Sequence, residues 1–303
     1  MESCYFCGES KVVAARLQRA IHYDQKEFTF YYCKSCYGYS LFPKLSELQI
    51  SDLYSVNYVE NLKLENSEQE LNSWDKFSRL DKFLASYSSS AGSIFFDYGC
   101  GADPATFSIA RRNGLVPLGM EFSADIREVV TTKTGIKMYS REEFIATEER
   151  FDQVFLGDVI EHLTNPDLEL LHIKSKLNPG GILIAQGPLQ GARTLTHLIV
   201  RLFSVISPSK VSDYPPYHVS LAHRKSMHKL LKSLGFRDVK IECTEVDWPA
   251  PNWKEFVDSP SLRGLTLFLI KAVDKLLARF FRSYGSRYFL VAGNVNEENQ
   301  ISQ

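Results

Sequence analysis

Apolar runs of strand length, separated by segments of helical character, make up much of the chain after residue 90. Residues 94–97, 116–120 and 287–292 predict strands, and residues 104–113 predict a helix between the first two. Upstream, apolar residues recur every three or four positions and predict an amphipathic helix within 62–87, at Leu71, Trp74, Phe77, Leu80 and Leu84. Strands that alternate with helices predict an α/β fold.

A glycine-rich turn follows the strand at 94–97. Gly99 and Gly101 let the backbone turn sharply and allow a ligand to approach it closely. The strand at 116–120 is followed by Glu121, at the spacing of an acid that reaches a ribose. Pro104 stands where a dinucleotide-binding turn has its third glycine, and Asp97 suits a cationic ligand better than a pyrophosphate. The pattern therefore predicts a nucleoside-binding site that is not an NAD site.

The net charge and the length of the apolar runs indicate which partners and locations are expected. The chain has 35 Lys+Arg, 36 Asp+Glu and a net charge of −1, which argues against nucleic acid as a partner. Charged residues interrupt the apolar stretches near 265–281 before they reach the roughly 18 residues of a membrane span. The first residues lack the basic start and apolar run of a signal peptide. We therefore expect a cytoplasmic protein with no transmembrane segment.

Four of the six cysteines form two closely spaced pairs near the start of the chain. Cys4 and Cys7 form the first pair, Cys33 and Cys36 the second, and the residues between them read as a hairpin with arms at 12–17 and 28–32. Two such pairs supply the four sulfurs of a tetrahedral Zn²⁺ site. Residues 1–45 resemble a zinc ribbon. Because cysteine fills all four positions, we expect the zinc to be structural rather than catalytic.

Several segments together resemble one enzyme superfamily. The turn that starts at Asp97 resembles the DxGxGxG loop of class I S-adenosylmethionine (SAM)-dependent methyltransferases, with Asp103 in place of the third glycine. Residues 151–163, 177–185 and 230–236 resemble, in order, the fourth strand with its EHL helix start, the LxPGG turn with the fifth strand, and the end of the helix before the sixth strand. The resemblance implies a Rossmann-like, seven-stranded methyltransferase core.

The resemblance also implies a domain organisation and a substrate class. The methyltransferase domain would span 92–303 with a helical insertion around 249–284, and a helical linker at 46–91 would join it to the zinc ribbon. A zinc ribbon ahead of such a core resembles a bacterial group associated with sugar and polysaccharide biosynthesis. The expected acceptor is a small molecule, a nucleotide- or lipid-linked sugar or a related hydroxyl or carbon compound.

Carried over to this chain, the resemblance assigns the residues that bind the cofactor SAM. Backbone at Gly99 and Gly101 would pack against its methionine part, and Asp97 would lie near its ammonium group. Glu121 would bind the ribose hydroxyls, and Asp158 would border the adenosine and the methyl group.

Two further chemical roles remain open at the level of sequence. His218, in a proline-stiffened aromatic loop, is the candidate general base, and the alternative is a loop histidine that only hydrogen bonds to backbone. Asp158, Glu161 and His162 at helical spacing would share one face and hold a divalent ion, or would only cap and pack a helix start.

Alternatives also remain for the whole protein. The zinc ribbon could bind RNA for an RNA methyltransferase, or the core could be a binding module without catalysis. Residues 262–282 are apolar on one side, with Lys271, Lys275, Arg279 and Arg282 on the other. This pattern is typical of a helix that packs on the core or in a homodimer, and also of a helix on a membrane surface.

Overall fold

A computed structural model describes residues 2–15, 20–53, 76–189, 194–199, 211–212, 215–246 and 261–294. The chain packs into two compact units. Unit 1 comprises residues 1–44, 186–233 and 240–290, and unit 2 comprises 45–185, 234–239 and 291–303. The predicted domain boundaries at 45 and 91 stay a prediction.

The elements of the described chain are numbered here in chain order. The strands are β1 Val12–Ala14, β2 Ala20–Tyr23, β3 Lys26–Cys33, β4 Tyr39–Phe42, β5 Ile94–Tyr98, β6 Val116–Met120, β7 Met138–Tyr139, β8 Phe151–Gly157, β9 Leu177–Pro188, β10 Val211–Ser212, β11 Ser220–Leu221, β12 Arg237–Thr244 and β13 Arg287–Gly293. The helices are α1 Glu47–Leu53, α2 Ser78–Ser86, α3 Ala105–Arg112, α4 Ala124–Thr134, α5 Arg141–Ala146, α6 Pro166–Lys176, α7 Arg224–Ser233 and α8 Leu262–Phe280, with a 3-10 turn at Ile160–His162.

The larger sheet has seven strands in the order β12-β13-β9-β8-β5-β6-β7 within the described chain. Strand β5 pairs in parallel with β6 on one side and β8 on the other. The predicted α/β, Rossmann-like fold with a seven-stranded sheet is confirmed. Two of the predicted strands agree closely with the observed ones. The predicted strand at 116–120 coincides with β6, and β5 is one residue longer than the predicted 94–97.

Burial on both faces explains why the central strands are almost continuously apolar. Phe95 and Phe96 point to opposite faces of β5, and neither is exposed to solvent. Helix α4 is closed at both ends, by the Ser123 side chain at its start and by left-handed Gly135 at its end. The strand ends that carry the candidate site are therefore held by a packed core.

The smaller sheet, in unit 1, contains the predicted zinc ribbon and two short strands from much later in the chain. Its order is β10-β2-β3-β4-β11, with β1 paired to β3. Strand β10 pairs in parallel with β2, and β11 pairs antiparallel with β4. Asp24 and Gln25, both with positive φ, form the two-residue turn between β2 and β3, as type I′ hairpins require. The zinc-ribbon strands thus pair with both β10 and β11.

Four predicted features lie partly outside the described residues: the hairpin arm at 12–17, the helical linker at 46–91, the helix within 62–87 and the helical insertion around 249–284. Helix α8 confirms a helix within the predicted 262–282, and its Ser261 cap accepts a hydrogen bond from the Gly264 N–H at 3.0 Å. In the part of the chain that the structure describes, no helix combines the length and the apolar character needed to cross a bilayer.

Candidate active site

Three acidic residues lie at the carboxyl ends of three neighbouring parallel strands in unit 2. Asp97 is near the end of β5, Glu121 follows β6, and Asp158 follows β8. Because these strands run in parallel and pair directly, their carboxyl ends meet at one edge of the sheet. This edge is where ligands bind in open α/β sheets.

The glycine-rich loop is fastened at this edge by its own backbone. Gly99 and Gly101 have φ of 82° and 63°, the left-handed region that favours glycine. The N–H groups of Gly99 and Cys100 donate to the Met120 carbonyl at 2.8 and 3.2 Å. A Cβ at Gly101 would face open space, whereas a Cβ at Gly99 would lie 2.9 Å from Val159 Cγ2. Gly99 is therefore required by packing, whereas the open space beside Gly101 leaves room for a ligand next to the backbone.

Glu121 links this loop to the end of β6. Its Oε2 accepts a hydrogen bond from the Gly101 N–H at 2.9 Å. Its Oε1 accepts from the N–H groups of Phe122 and Ser123 at 2.7 and 3.2 Å. The side chain is buried, and burial raises its pKa despite these three donors. The carboxylate is therefore held in a fixed orientation with lone pairs that can accept from ligand hydroxyl groups.

Asp97 is a buried carboxyl group, with 1% of its surface exposed. Thr106 Oγ1 donates a hydrogen bond to its Oδ2 at 2.5 Å. Burial raises its pKa to about 7, and the nearby charge of Glu121 contributes to the rise. A buried carboxylate is costly unless a cation or several donors compensate it. A cationic ligand group beside Asp97 would supply this compensation.

Asp158 does not have the right-handed helical backbone that the sequence predicts. It has a left-handed φ of 57°, and its Oδ2 lies 3.1 Å from Lys76 Nζ. Glu161 and His162 follow in a single 3-10 turn. The prediction that Asp158, Glu161 and His162 share one face of a regular α-helix is therefore wrong, because no α-helix forms there.

His218 lies in unit 1, in the segment between β10 and β11, and its side chain is exposed. The next residue, Val219, is buried and accepts a hydrogen bond from the Leu41 N–H at 2.9 Å. The candidate base is thus carried by a segment that the zinc-ribbon sheet holds. Its role stays a prediction.

The four cysteines Cys4, Cys7, Cys33 and Cys36 come together, with their sulfurs all within 4.8 Å of one another. Cys4 Sγ lies 3.4 Å from Cys36 Sγ, and Cys7 Sγ lies 3.7 Å from Cys33 Sγ. Four ligands at the usual Zn–S distance of about 2.3 Å would be about 3.8 Å apart in a tetrahedron. The group can therefore hold a structural zinc.

The two cysteine knuckles have the same backbone form. Gly8 donates its N–H to the Cys4 carbonyl at 2.9 Å, and Tyr37 donates to the Cys33 carbonyl at 2.8 Å. Gly8 and Tyr37 both have left-handed φ, 67° and 69°. A hydrogen bond with Cys36 lowers the pKa of Cys4. Zinc binds the thiolate form of cysteine, so a thiol that is protonated beforehand would release its proton on zinc binding.

Three residues of the site were not found from the sequence. Thr106 hydrogen bonds to Asp97, Lys76 pairs with Asp158, and Val159 fills the space beside Gly99. Val159 directly follows Asp158 and is close to a recognisable motif. Thr106 and Lys76 have no sequence signal, because their contacts depend on how α3 and the residues before α2 pack.

Comparisons with known proteins agree with this geometry. Residues 71–241, more than half of the chain, match a family described as a methyltransferase domain. A comparison with curated proteins finds no match.

Among the solved structures that are similar to this chain, two share its fold over most of its length. A magnesium protoporphyrin IX methyltransferase from Synechocystis PCC 6803, with bound S-adenosylhomocysteine (SAH), is 12% identical, with a TM-score of 0.53 over 82% of this chain and 100% of that chain. Phosphoethanolamine N-methyltransferase 2 of Haemonchus contortus, in complex with phosphomonomethylethanolamine and SAH, is 16% identical, with a TM-score of 0.52 over 91% of this chain and 71% of that chain.

The fold, the glycine-rich loop and the acidic strand ends define a class I SAM-dependent methyltransferase. The chain belongs to the methyltransferase-domain family that its residues 71–241 match. The predicted enzyme class and the cofactor SAM are confirmed at this level.

Proposed function

We propose that this methyltransferase transfers the methyl group of SAM to a small-molecule acceptor, a sugar or a related hydroxyl or carbon compound. The observation that carries the donor part of the proposal is the Glu121 carboxylate, which joins the β6 end to the Gly101 amide in the glycine-rich loop. The two enzymes described above act on small molecules, as their names state. The net charge of −1 also favours a small acceptor over a polyanion.

Each residue of the donor site has a separate task in this proposal. Backbone at Gly99 and Gly101 packs against the methionine part of SAM, and Asp97 compensates its ammonium group. Glu121 accepts hydrogen bonds from the ribose hydroxyls, and Asp158 borders the adenosine and the methyl group. SAM supplies an already activated methyl group on a cationic sulfur, so the protein contributes mainly alignment of the acceptor.

The acceptor must lose a proton when a hydroxyl or an acidic carbon is methylated. We assign this proton to the imidazole of His218, which takes it up as a neutral base. Pairing of β11 with β4 supports the assignment, because it ties the exposed His218 segment to a rigid sheet. The zinc ribbon would then act as a scaffold for the acceptor loop, with zinc as its structural metal.

The test combines an acceptor screen with one variant and its matched control. Zinc-loaded protein is incubated with SAM and a panel of nucleotide-linked sugars, and methylated products are detected by mass spectrometry. His218→Ala should lower turnover at least about tenfold, within the usual contribution of a general base, and leave SAH affinity unchanged. His228→Ala, an exposed histidine on α7, should have no effect.

Two outcomes would contradict the proposal. Unchanged turnover in His218→Ala removes this residue as the base. Methylation of bulk RNA, with no sugar methylated, replaces the small-molecule acceptor by a nucleic acid.

A further inference from the structure

Helix α8 buries two charged side chains and exposes a stripe of large apolar ones. Lys271 and Asp274 are buried, with 2% and 0% of their surfaces exposed. Six large apolar side chains, each at least 40% exposed, follow one another at intervals of three or four residues. These residues, the α8 stripe, are Leu262, Leu265, Leu269, Val273, Leu276 and Phe280.

A network within unit 1 fixes this orientation through the buried Lys271. Its ammonium group forms an ion pair with Glu245, and both side chains are almost fully buried. The Ser286 hydroxyl donates to Glu245 Oε1 at 2.7 Å. Rotation of α8 about its axis would separate this buried ion pair, and breaking a buried pair is strongly destabilising.

Asp274 forms a second, independent anchor. Its carboxylate accepts hydrogen bonds from the N–H groups of Leu195 and Thr196 at 2.8 and 3.1 Å and from the Thr196 hydroxyl at 2.6 Å. The Tyr284 hydroxyl also donates to it. The two anchors lie on the inward side of α8, so the α8 stripe cannot turn inward without losing both.

The exposed apolar surface continues beyond the helix itself. Leu195 and Leu198 are exposed on the short helix at 195–199, whose first N–H groups are capped by Asp274 of α8. Phe281, directly after α8, is also more than half exposed. A contiguous apolar patch that is exposed on a protein surface marks an interaction site.

The charges near the stripe identify the kind of partner. Lys275, Arg279 and Arg282 are exposed, and the one acidic residue of α8, Asp274, is buried. A second copy set against the stripe would bring the same cations to the contact and no acidic side chain of α8. An anionic lipid surface accepts apolar side chains and compensates cations at the same time.

We propose that the α8 stripe docks the protein onto an anionic membrane surface, with α8 lying in the plane of the bilayer interface. Its 19 residues make a helix about 28 Å long, and its apolar side chains enter the boundary between headgroups and acyl chains. Arg279 and Arg282 contact the lipid phosphates. The docking is independent of the methyl donor.

The proposal is tested by vesicle co-sedimentation of the full-length, zinc-loaded protein. The probes are vesicles of phosphatidylcholine alone and vesicles with about one third phosphatidylglycerol. The wild type should sediment with the anionic vesicles, more weakly with the neutral ones, and less as salt is raised. The Leu269→Glu/Leu276→Glu double variant should bind at least about tenfold more weakly.

Matched variants separate the contribution of the apolar side chains to vesicle binding from the contribution of the charges. Leu48→Glu places the same change on an exposed leucine of α1 and should bind vesicles like the wild type. Arg279→Gln/Arg282→Gln should weaken binding to anionic vesicles about tenfold or more. Because the substituted side chains are exposed, melting temperatures and SAH affinity should stay close to those of the wild type.

Three results would overturn the proposal. The first is the absence of binding to anionic vesicles, and the second is equal binding by the Leu269→Glu/Leu276→Glu variant. The third is a wild-type dimer in analytical ultracentrifugation that this variant converts to a monomer without any vesicle binding, which would show that a second copy covers the stripe.

Discussion

The sharpest test of the donor site is the removal of the Glu121 carboxylate. This buried group accepts hydrogen bonds from three backbone N–H groups, one of which is the Gly101 amide of the glycine-rich loop. In the proposed function it also binds the two ribose hydroxyls of SAM or SAH. Glu121→Ala removes both sets of hydrogen bonds, whereas Glu121→Gln keeps the shape and loses the charge.

The expected magnitude follows from the hydrogen bonds involved. A hydrogen bond to a charged group contributes about 1.5 kcal/mol at the lower end, so two ribose contacts contribute about 3 kcal/mol. This corresponds to an SAH affinity about a hundredfold weaker in Glu121→Ala. The same variant should lose about 2 kcal/mol in its free energy of unfolding, because buried N–H groups lose their acceptor. Glu121→Gln should fall between the wild type and Glu121→Ala in both measurements.

Isothermal titration calorimetry with SAH measures the affinity, and thermal unfolding shows that each variant is folded. The control is Glu128→Gln, an exposed glutamate on α4, which should match the wild type in both assays. A folded Glu121→Ala protein that binds SAH within about threefold of the wild type would refute the reasoning, since the charged contacts would then contribute too little.

Three further predictions concern pH, zinc and the packing of α8. Because burial raises the Asp97 pKa to about 7, ligand ammonium binding should release a proton, and SAH affinity should rise from about pH 5.5 to about pH 7. Calorimetry in two buffers of different ionisation enthalpy detects this proton, which Asp97→Asn should abolish; an unchanged proton count would exclude Asp97. Cys33→Ser should lower the zinc content and the melting temperature and slow methyl transfer, while SAH affinity stays unchanged. If stability and turnover persist without zinc, the ribbon is not a scaffold. Asp274→Asn should lower the free energy of unfolding by about 2 kcal/mol in denaturant titration, since part of its hydrogen-bond set is lost; an equal stability would show that the Asp274 anchor is weak.

The sequence was sufficient to predict the features whose contacts are between residues close in sequence. Strand β6 coincides with the predicted 116–120, because its apolar character and the flanking turns are local. The cysteine cluster could also be predicted from the sequence, since a Cys-x2-Cys knuckle is closed by its own backbone hydrogen bonds. The glycine-rich loop belongs to the same group, because the turn has left-handed backbone at positions 99 and 101, and glycine is the residue that adopts it most easily.

Distant contacts decided the properties that bear on function. The raised pKa of Asp97 comes from burial and from the nearby Glu121, which lies after another strand, β6. The pairing of β10 and β11 with the zinc-ribbon strands had no sequence signal, because strands of two residues carry no periodicity. The predicted helical face of Asp158, Glu161 and His162 failed for a similar reason, since the chain turns away after a short 3-10 turn.

Helix α8 shows most clearly what the sequence determined and what the tertiary structure decided. Its sequence determined an amphipathic helix, and the prediction placed Lys271 on the basic side with Lys275 and Arg279. The tertiary structure decided which side faces inward, and Lys271 is buried. The physical reason is that Glu245 and Thr196, distant in sequence, supply partners for Lys271 and Asp274. A helical pattern specifies two faces, and only these contacts select the one that packs inside.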